Sequence, residues 1–331
     1  MKIFFLLKII LFLTVFLILD KIVGYVLYKN RPVDYELFIS SKLEFFKDKK
    51  VIDILVIGDS HIADSFDPRT IESNIGFKTF NLGIYHSSPF ENYYVTKAAL
   101  EKLETKPSVI ILGTNPIMFE RKMSKGRYSP LILPTLNYLE LVSNSNEGFD
   151  ASFFLSFIQE KYLFKSLLNN LRGKAYQPTR KIEDVYNGHL KFFNQIPGTQ
   201  WSDFVIQKKS YLDKDQVEYF KKTIELALAN NINVIIAHPP IWNKNLRALT
   251  NTDSYRDFKN TINSLSKKYE LKIYYDYLNN NNILNDTLTF QKGDYLNPKH
   301  LNYNGSLKFT NNFCDFWNNE EIIVPSTQIT Q

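Results

Sequence analysis

The chain has a single cysteine, Cys314, so it holds no internal disulfide framework and no cysteine-cluster metal site. A lone cysteine in an apolar helical stretch reads as a small core residue. Histidine is scarce, at five residues in 331. No His-Glu-x-x-His pair and no paired-carboxylate cluster accompanies it, which argues against a metal centre. A glycine-rich phosphate loop is also missing, which argues against nucleotide chemistry. No cofactor is expected. Basic and aromatic residues are nowhere interleaved as in nucleic-acid binders. The net charge of +6 suits an anionic envelope surface at least as well as a nucleic acid.

Apolar and aromatic side chains, in contrast, are plentiful. At 44% hydrophobic and 15% aromatic, the chain can fill a large packed core and is not disordered outside its ends. Ile3–Tyr28 is apolar apart from Lys8, Asp20 and Lys21, and Ile9–Leu19 is uninterrupted. Crossing a bilayer takes ~20 apolar residues. No small-residue cleavage site follows, so residues 1–29 are expected to be an uncleaved membrane anchor. Lys2 and Lys8 lie on one side, but Lys21, Lys29 and Arg31 lie on the other, so charge does not orient it. Residues 30–50 read as a connector with a short helix at Tyr35–Phe46, residues 51–319 as the main domain, and residues 320–331 as a tail.

Val51–Asp64, VIDILVIGDSHIAD, is the stretch around which the domain is organised. A β-branched run stops at Gly58-Asp59-Ser60-His61, as a buried strand does before a tight turn. Further strands are predicted at Phe77–Leu82, Pro107–Leu112, Ile232–Ala237 and Leu271–Tyr275. Helices are predicted at Pro68–Asn74, Pro89–Glu104, Asp213–Asn230, Ser254–Tyr269 and Asn302–Trp317. Such alternation predicts a flavodoxin-like three-layer α/β sandwich with a five-stranded parallel sheet in the order 2-1-3-4-5. The alternation lapses over about 117–206, read as an insertion of loops and helices after strand three. Phe153–Leu171 is its most helical part. Its basic residues Arg121, Lys122, Lys125, Arg127, Arg180 and Lys181 suit anionic polymer or lipid head groups.

Ligands of open α/β sheets bind at the carboxyl ends of the strands. Ser60, Gly83 and Asn115 follow the first three strands there, and His300 precedes the last helix. Together they make an acyl-transfer set. Ser60 attacks a carbonyl carbon and His300 carries its proton. The N–H groups of Ser60 and Gly83 and the amide of Asn115 would hold the oxyanion. His61, His86 and His238 are candidates for lining the substrate pocket, and Asp59 for fixing the turn.

The blocks Gly58-Asp59-Ser60, Asn81-Leu82-Gly83, Gly113-Thr114-Asn115 and the C-terminal His300 resemble the SGNH/GDSL hydrolases, over about Val51 to Trp317. The ending His300-Leu301-Asn302, with Gly305 behind it and the apolar N-terminus, is similar to a membrane-anchored extracytoplasmic branch. That branch holds relatives of D-alanyl-lipoteichoic acid biosynthesis protein D and of the alginate O-acetyltransferase periplasmic proteins. The resemblance implies a single-pass cell-membrane protein with its catalytic domain outside. It implies transfer or hydrolysis of acetyl or D-alanyl esters on a cell-surface glycan or polymer, beside a membrane-bound O-acyltransferase. A small-ester carboxylesterase and a catalytically degenerate glycan-binding scaffold are the alternatives. The family block Asp-x-x-His would place aspartate at 297, where this chain has Asn297. The orienter of His300 is therefore open among Asn297, Asp294 and a backbone carbonyl.

Overall fold

The computed structural model describes residues 2–29, 33–47, 51–120, 123, 132–146, 182–192, 211–241, 252–274, 290–297, 300–320 and 322. Among these the strands are β1 (Ile54–Ile57), β2 (Thr79–Asn81), β3 (Val109–Gly113), β4 (Ile182–Tyr186), β5 (His189–Phe192), β6 (Asn233–Ala237), β7 (Lys272–Tyr274), β8 (Tyr295–Asn297) and β9 (His300–Leu301). The helices are α1 (Lys2–Lys29), α2 (Val33–Lys47), α3 (Ser60–Ala63), α4 (Pro68–Ile75), α5 (Pro89–Lys102), α6 (Pro116–Phe119), α7 (Thr135–Asn144), α8 (Lys214–Ala229), α9 (Asp253–Tyr269) and α10 (Tyr303–Asn319).

The main sheet is five parallel strands in the order β2-β1-β3-β6-β7. Taken in chain order, these five follow the expected 2-1-3-4-5. Strand β1 is Ile-Leu-Val-Ile because it lies inside the sheet and is covered on both faces. Alternate side chains serve opposite faces. Leu55, Ile57, Ile110 and Leu112 join one core cluster with Phe90, Phe220 and Phe258 of α5, α8 and α9. Ile54, Val56, Val109 and Ile111 join the other with Ile71 of α4 and Phe309 and Phe313 of α10. Cys314 is buried there, as a small core residue. Polar caps set the helix starts. Ser88 and Glu91 make a capping box on α5, Asp213 caps α8, and Asn302 accepts the Gly305 N–H at the start of α10.

Two segments behave differently from expectation. The helix of the supposed connector is packed into the domain. Phe38, Ile39 and Phe45 of α2 belong to the main core cluster, and Lys42 is fully buried. Lys42 Nζ donates to the carbonyls of Asn81 at 2.7 Å and Gly188 at 2.6 Å. Burial pulls its pKa down to about 7. The expected loop-and-helix insertion contains a hairpin, β4–β5. Its turn is Asn187-Gly188, with φ of 40° and 82°, the pair of positive values a two-residue type I′ turn requires. The tip covers the exposed edge of β2, where the Asn81 N–H donates to Asn187 O at 2.8 Å. The helix expected at Phe153–Leu171 and the basic residues Arg121, Lys122, Lys125, Arg127, Arg180 and Lys181 lie outside the described residues.

Within α1, Leu7–Val26 is long and apolar enough to cross a membrane, with mean hydropathy 2.3. Its large apolar side chains, among them Phe4, Phe12 and Leu19, are exposed.

Candidate active site

Ser60 is the first residue of α3, directly after β1. Asp59 caps this short helix, its carboxylate accepting the His61 N–H at 3.0 Å. One turn on, Ile62 drops onto the strand ends. A Cβ on Gly113 would lie 1.7 Å from Ile62 Cγ1, so glycine at the end of β3 is a steric condition for the helix to sit where it does. Asn81, at the end of β2, closes the turn from the other side. Its Nδ2 donates to the carbonyls of Ile62, Ala63 and Phe66 at 3.3, 3.2 and 2.9 Å.

His300 arrives from the other end of the chain on β9, paired antiparallel with β8. Its Nε2 lies 2.8 Å from Ser60 Oγ, and its Nδ1 lies 2.9 Å from Asn297 Oδ1. An amide oxygen only accepts, so Nδ1 carries the proton and Nε2 keeps its lone pair for the serine hydroxyl. That is the tautomer a general base needs. Asn297 Oδ1 also accepts the His300 backbone N–H at 3.2 Å, which fixes the amide.

Of the two candidates, Asn297 is the side chain that meets the His300 ring, and the structure places Asp294 elsewhere. The Asp294 carboxylate accepts from the Gln291 N–H at 2.7 Å and from Lys308 Nζ at 3.2 Å, which holds the turn before β8. Gly83 is corrected as well. Its N–H donates to Asn81 Oδ1 at 3.1 Å, and a Cβ there would meet Ala63 N at 2.9 Å. Glycine is needed at 83 for packing against α3, and its N–H is already engaged. The Ser60 N–H has no hydrogen bond among the described residues, as befits a first-turn donor. Asn115 Oδ1 caps α6 by accepting the Met118 N–H at 3.2 Å, and its Nδ2 donates to Asp59 Oδ2 at 3.0 Å. An amide nitrogen has two hydrogens. The same Nδ2 also lies 3.4 Å from His61 Nδ1.

Of the three histidines expected to line the pocket, His238 is corrected from the crevice rim to the interior. It is fully buried, its Nδ1–H donates to Thr114 O at 3.2 Å, and its ring packs on Phe258. It steadies the turn that presents Asn115. His61 does not line an open pocket either. Its ring is 3% exposed, its Nδ1 lies 3.2 Å from both Asp59 oxygens, and it stacks on His300 with centroids 4.8 Å apart. His86 is exposed and left-handed, at φ 63°, a conformation that costs a residue with a Cβ roughly 1–2 kcal/mol. Its loop is tied to the nucleophile turn, since Ile84 N–H and Ser87 Oγ both donate to Gly58 O, at 2.8 and 2.9 Å. No group of three or more His, Cys, Asp or Glu placed to hold a metal ion occurs among the described residues.

Sequence reasoning missed three supporting residues: Asn81, Lys42 and the full role of Asp59. The spacing Asp59-x-His61 on a helix start was a readable signal for the last of these, since an N-cap carboxylate faces the residue two further on.

No family model matches the chain, and no curated protein matches it in sequence. Among solved structures it is similar to TesA, at 10% identity and a TM-score of 0.39, over 80% of this chain and 98% of that one. It is similar to a GDSL-like lipase from Bacteroides thetaiotaomicron, at 11% identity and 0.36, over 86% and 100%. It is also similar to AlinE4, an SGNH-hydrolase family esterase, at 12% and 0.32, over 74% and 86%. Identities and TM-scores this low leave the chemistry to be read from the side chains.

Proposed function

We propose that the protein is a serine-dependent acyl-group enzyme of the SGNH kind, anchored through α1 at the cell membrane with its catalytic domain outside. The observation that carries this reading is the relay Ser60 Oγ–His300 Nε2 at 2.8 Å and His300 Nδ1–Asn297 Oδ1 at 2.9 Å. Ser60 Oγ bonds to the ester carbonyl carbon as its proton passes to His300 Nε2. The Ser60 N–H and the second amide N–H of Asn115 receive the oxyanion. The carbon–oxygen bond to the alcohol breaks, and His300 returns the proton to that leaving oxygen. Water or an acceptor hydroxyl then gives its proton to His300 Nε2 and attacks the acyl carbon; the bond to Ser60 Oγ breaks and Oγ takes the proton back from His300. The substrate class is an O-acetyl or D-alanyl ester on a cell-surface glycan or polymer, with a membrane-bound O-acyltransferase as partner and His86 as a contact at the crevice. An apolar span next to the domain and the net charge of +6, which suits anionic polymers, support this class.

Asn297 favours a second reading, a binding partner that has kept the fold and lost the carboxylate. Labelling of the full chain in detergent micelles with a fluorophosphonate serine probe separates the two. Labelling that drops by more than about 10³-fold in both Ser60→Ala and His300→Ala is the expected result. A folded wild type that takes no label would give first place to the binding reading.

A further inference from the structure

His300 has an amide where a triad normally has a carboxylate. An amide orients an imidazole but adds no charge to the imidazolium that forms when Ser60 attacks. The carboxylate is present, yet elsewhere. Asp59 is fully buried, and its two oxygens sit 3.2 Å from His61 Nδ1. A carboxylate only accepts, so Nδ1 is the protonated nitrogen. Asn115 and the His61 backbone N–H also donate to Asp59, each at 3.0 Å, and donors to a carboxylate favour its ionised form. The His61 ring lies against the face of His300, 24° from parallel with centroids 4.8 Å apart. Its Nε2 is buried with no hydrogen-bond partner among the described residues. Packing alone does not explain an imidazole there, because a phenyl ring would fill the space without burying an unpaired polar atom.

We infer that the Asp59–His61 pair is a positioning unit for His300. It delivers through the ring face the charge stabilisation that Asn297 cannot deliver at the ring edge. Orientation and charge, normally one residue's work, are thus divided between Asn297 and Asp59. The inference rests on the reading of Ser60 and His300 as an acyl-transfer pair. Among the described residues, Ser60 lies at the edge of the His300 ring, His61 on its face and Asp59 behind His61. Asp294 and Lys308 are paired with each other.

The test uses the full chain in micelles, in wild type, Asp59→Asn, Asn297→Asp and the double variant. Two quantities are read: the NMR titration midpoint of the His300 ring and the rate of fluorophosphonate labelling. Asp59→Asn keeps the shape and removes the charge. It is expected to lower the midpoint by about one unit and labelling by about 10-fold. In the Asn297→Asp background, with a carboxylate restored at the ring edge, the same change is expected to cost less than about 3-fold. Asn297→Asp alone changes a half-buried residue at the end of β8 and tests the same point if Asp59→Asn does not fold. Its expected gain is under about 10-fold, because charge is already supplied. A gain above about 10²-fold would overturn the inference. So would an unmoved His300 midpoint in folded Asp59→Asn, or equal costs in both backgrounds. A wild type that takes no label would refute the enzymatic reading instead, and the titration would still judge the histidine pair.

Discussion

The turn that carries Ser60 and the hairpin that carries His300 meet at 2.8 Å but are held in different ways. The turn grows out of β1, whose four residues are wholly buried, and is wedged by Ile62 over glycines and by Asn81 below. The hairpin is a two-stranded ladder of five residues in total, three in β8 and two in β9, with Asn297 and His300 half-buried. It is held by the Asp294–Lys308 pair and by Asn302, whose Nδ2 donates to Gly293 O and whose Oδ1 caps α10. Packing, with the Asn81 amide, fixes Ser60, while hydrogen bonds fix His300. The first should fail under added volume and the second under lost polarity.

The largest effect is expected from Gly113→Ala, which puts a carbon 1.7 Å from Ile62 Cγ1. Overpacking of this kind costs about 1–3 kcal/mol, and displacement of α3 should cut labelling of Ser60 at least ~10-fold. Urea denaturation and probe kinetics would measure both; full stability with full labelling would show that the wedge does not place the serine. Next comes Asn297→Ala. Stability should change by less than about 1 kcal/mol, while labelling should fall about 10²-fold as His300 loses its tautomer. A large loss of stability with little loss of labelling would reverse the comparison. The smallest effect concerns Lys42, which braces the Asn81 carbonyl from behind the turn. Its pKa is lowered from 10.5 to about 7, so between those values the unfolded chain holds a proton that the folded chain lacks. Stability must then rise with pH across that window, and be lowest, for this group, below about pH 7. In Lys42→Met the rise should vanish, a difference that denaturation at about pH 6.5 and about pH 9.5 would detect.

The packed half of the molecule was the more legible in sequence. A run such as Val51–Gly58 has one physical use, a strand covered on both faces, and its stop at Gly-Asp-Ser locates the turn. The pairing of Ser60 with His300 followed from placing both at the carboxyl end of one sheet. The polar half was legible only in part. Asn297 and Asp294 lie three and six residues before His300, and only the bend of the β8–β9 ladder decides which side chain meets the ring. Gly83 was read for its missing Cβ, correctly as a close approach, but the backbone it approaches is Ala63. The β4–β5 hairpin was readable from Asn187-Gly188, a strong turn signal, and was hidden by the irregular pattern around it. Burial of Lys42 and His238 depends on contacts far along the chain, which local composition does not encode.

The packing of α2 also sets a length. α1 ends at residue 29 and α2 begins at residue 33, so the chain advances 33 − 29 = 4 residues between them. Four residues reach at most about 14 Å. The start of α2, and with it the core cluster into which α2 packs, therefore stays within that reach of the end of α1.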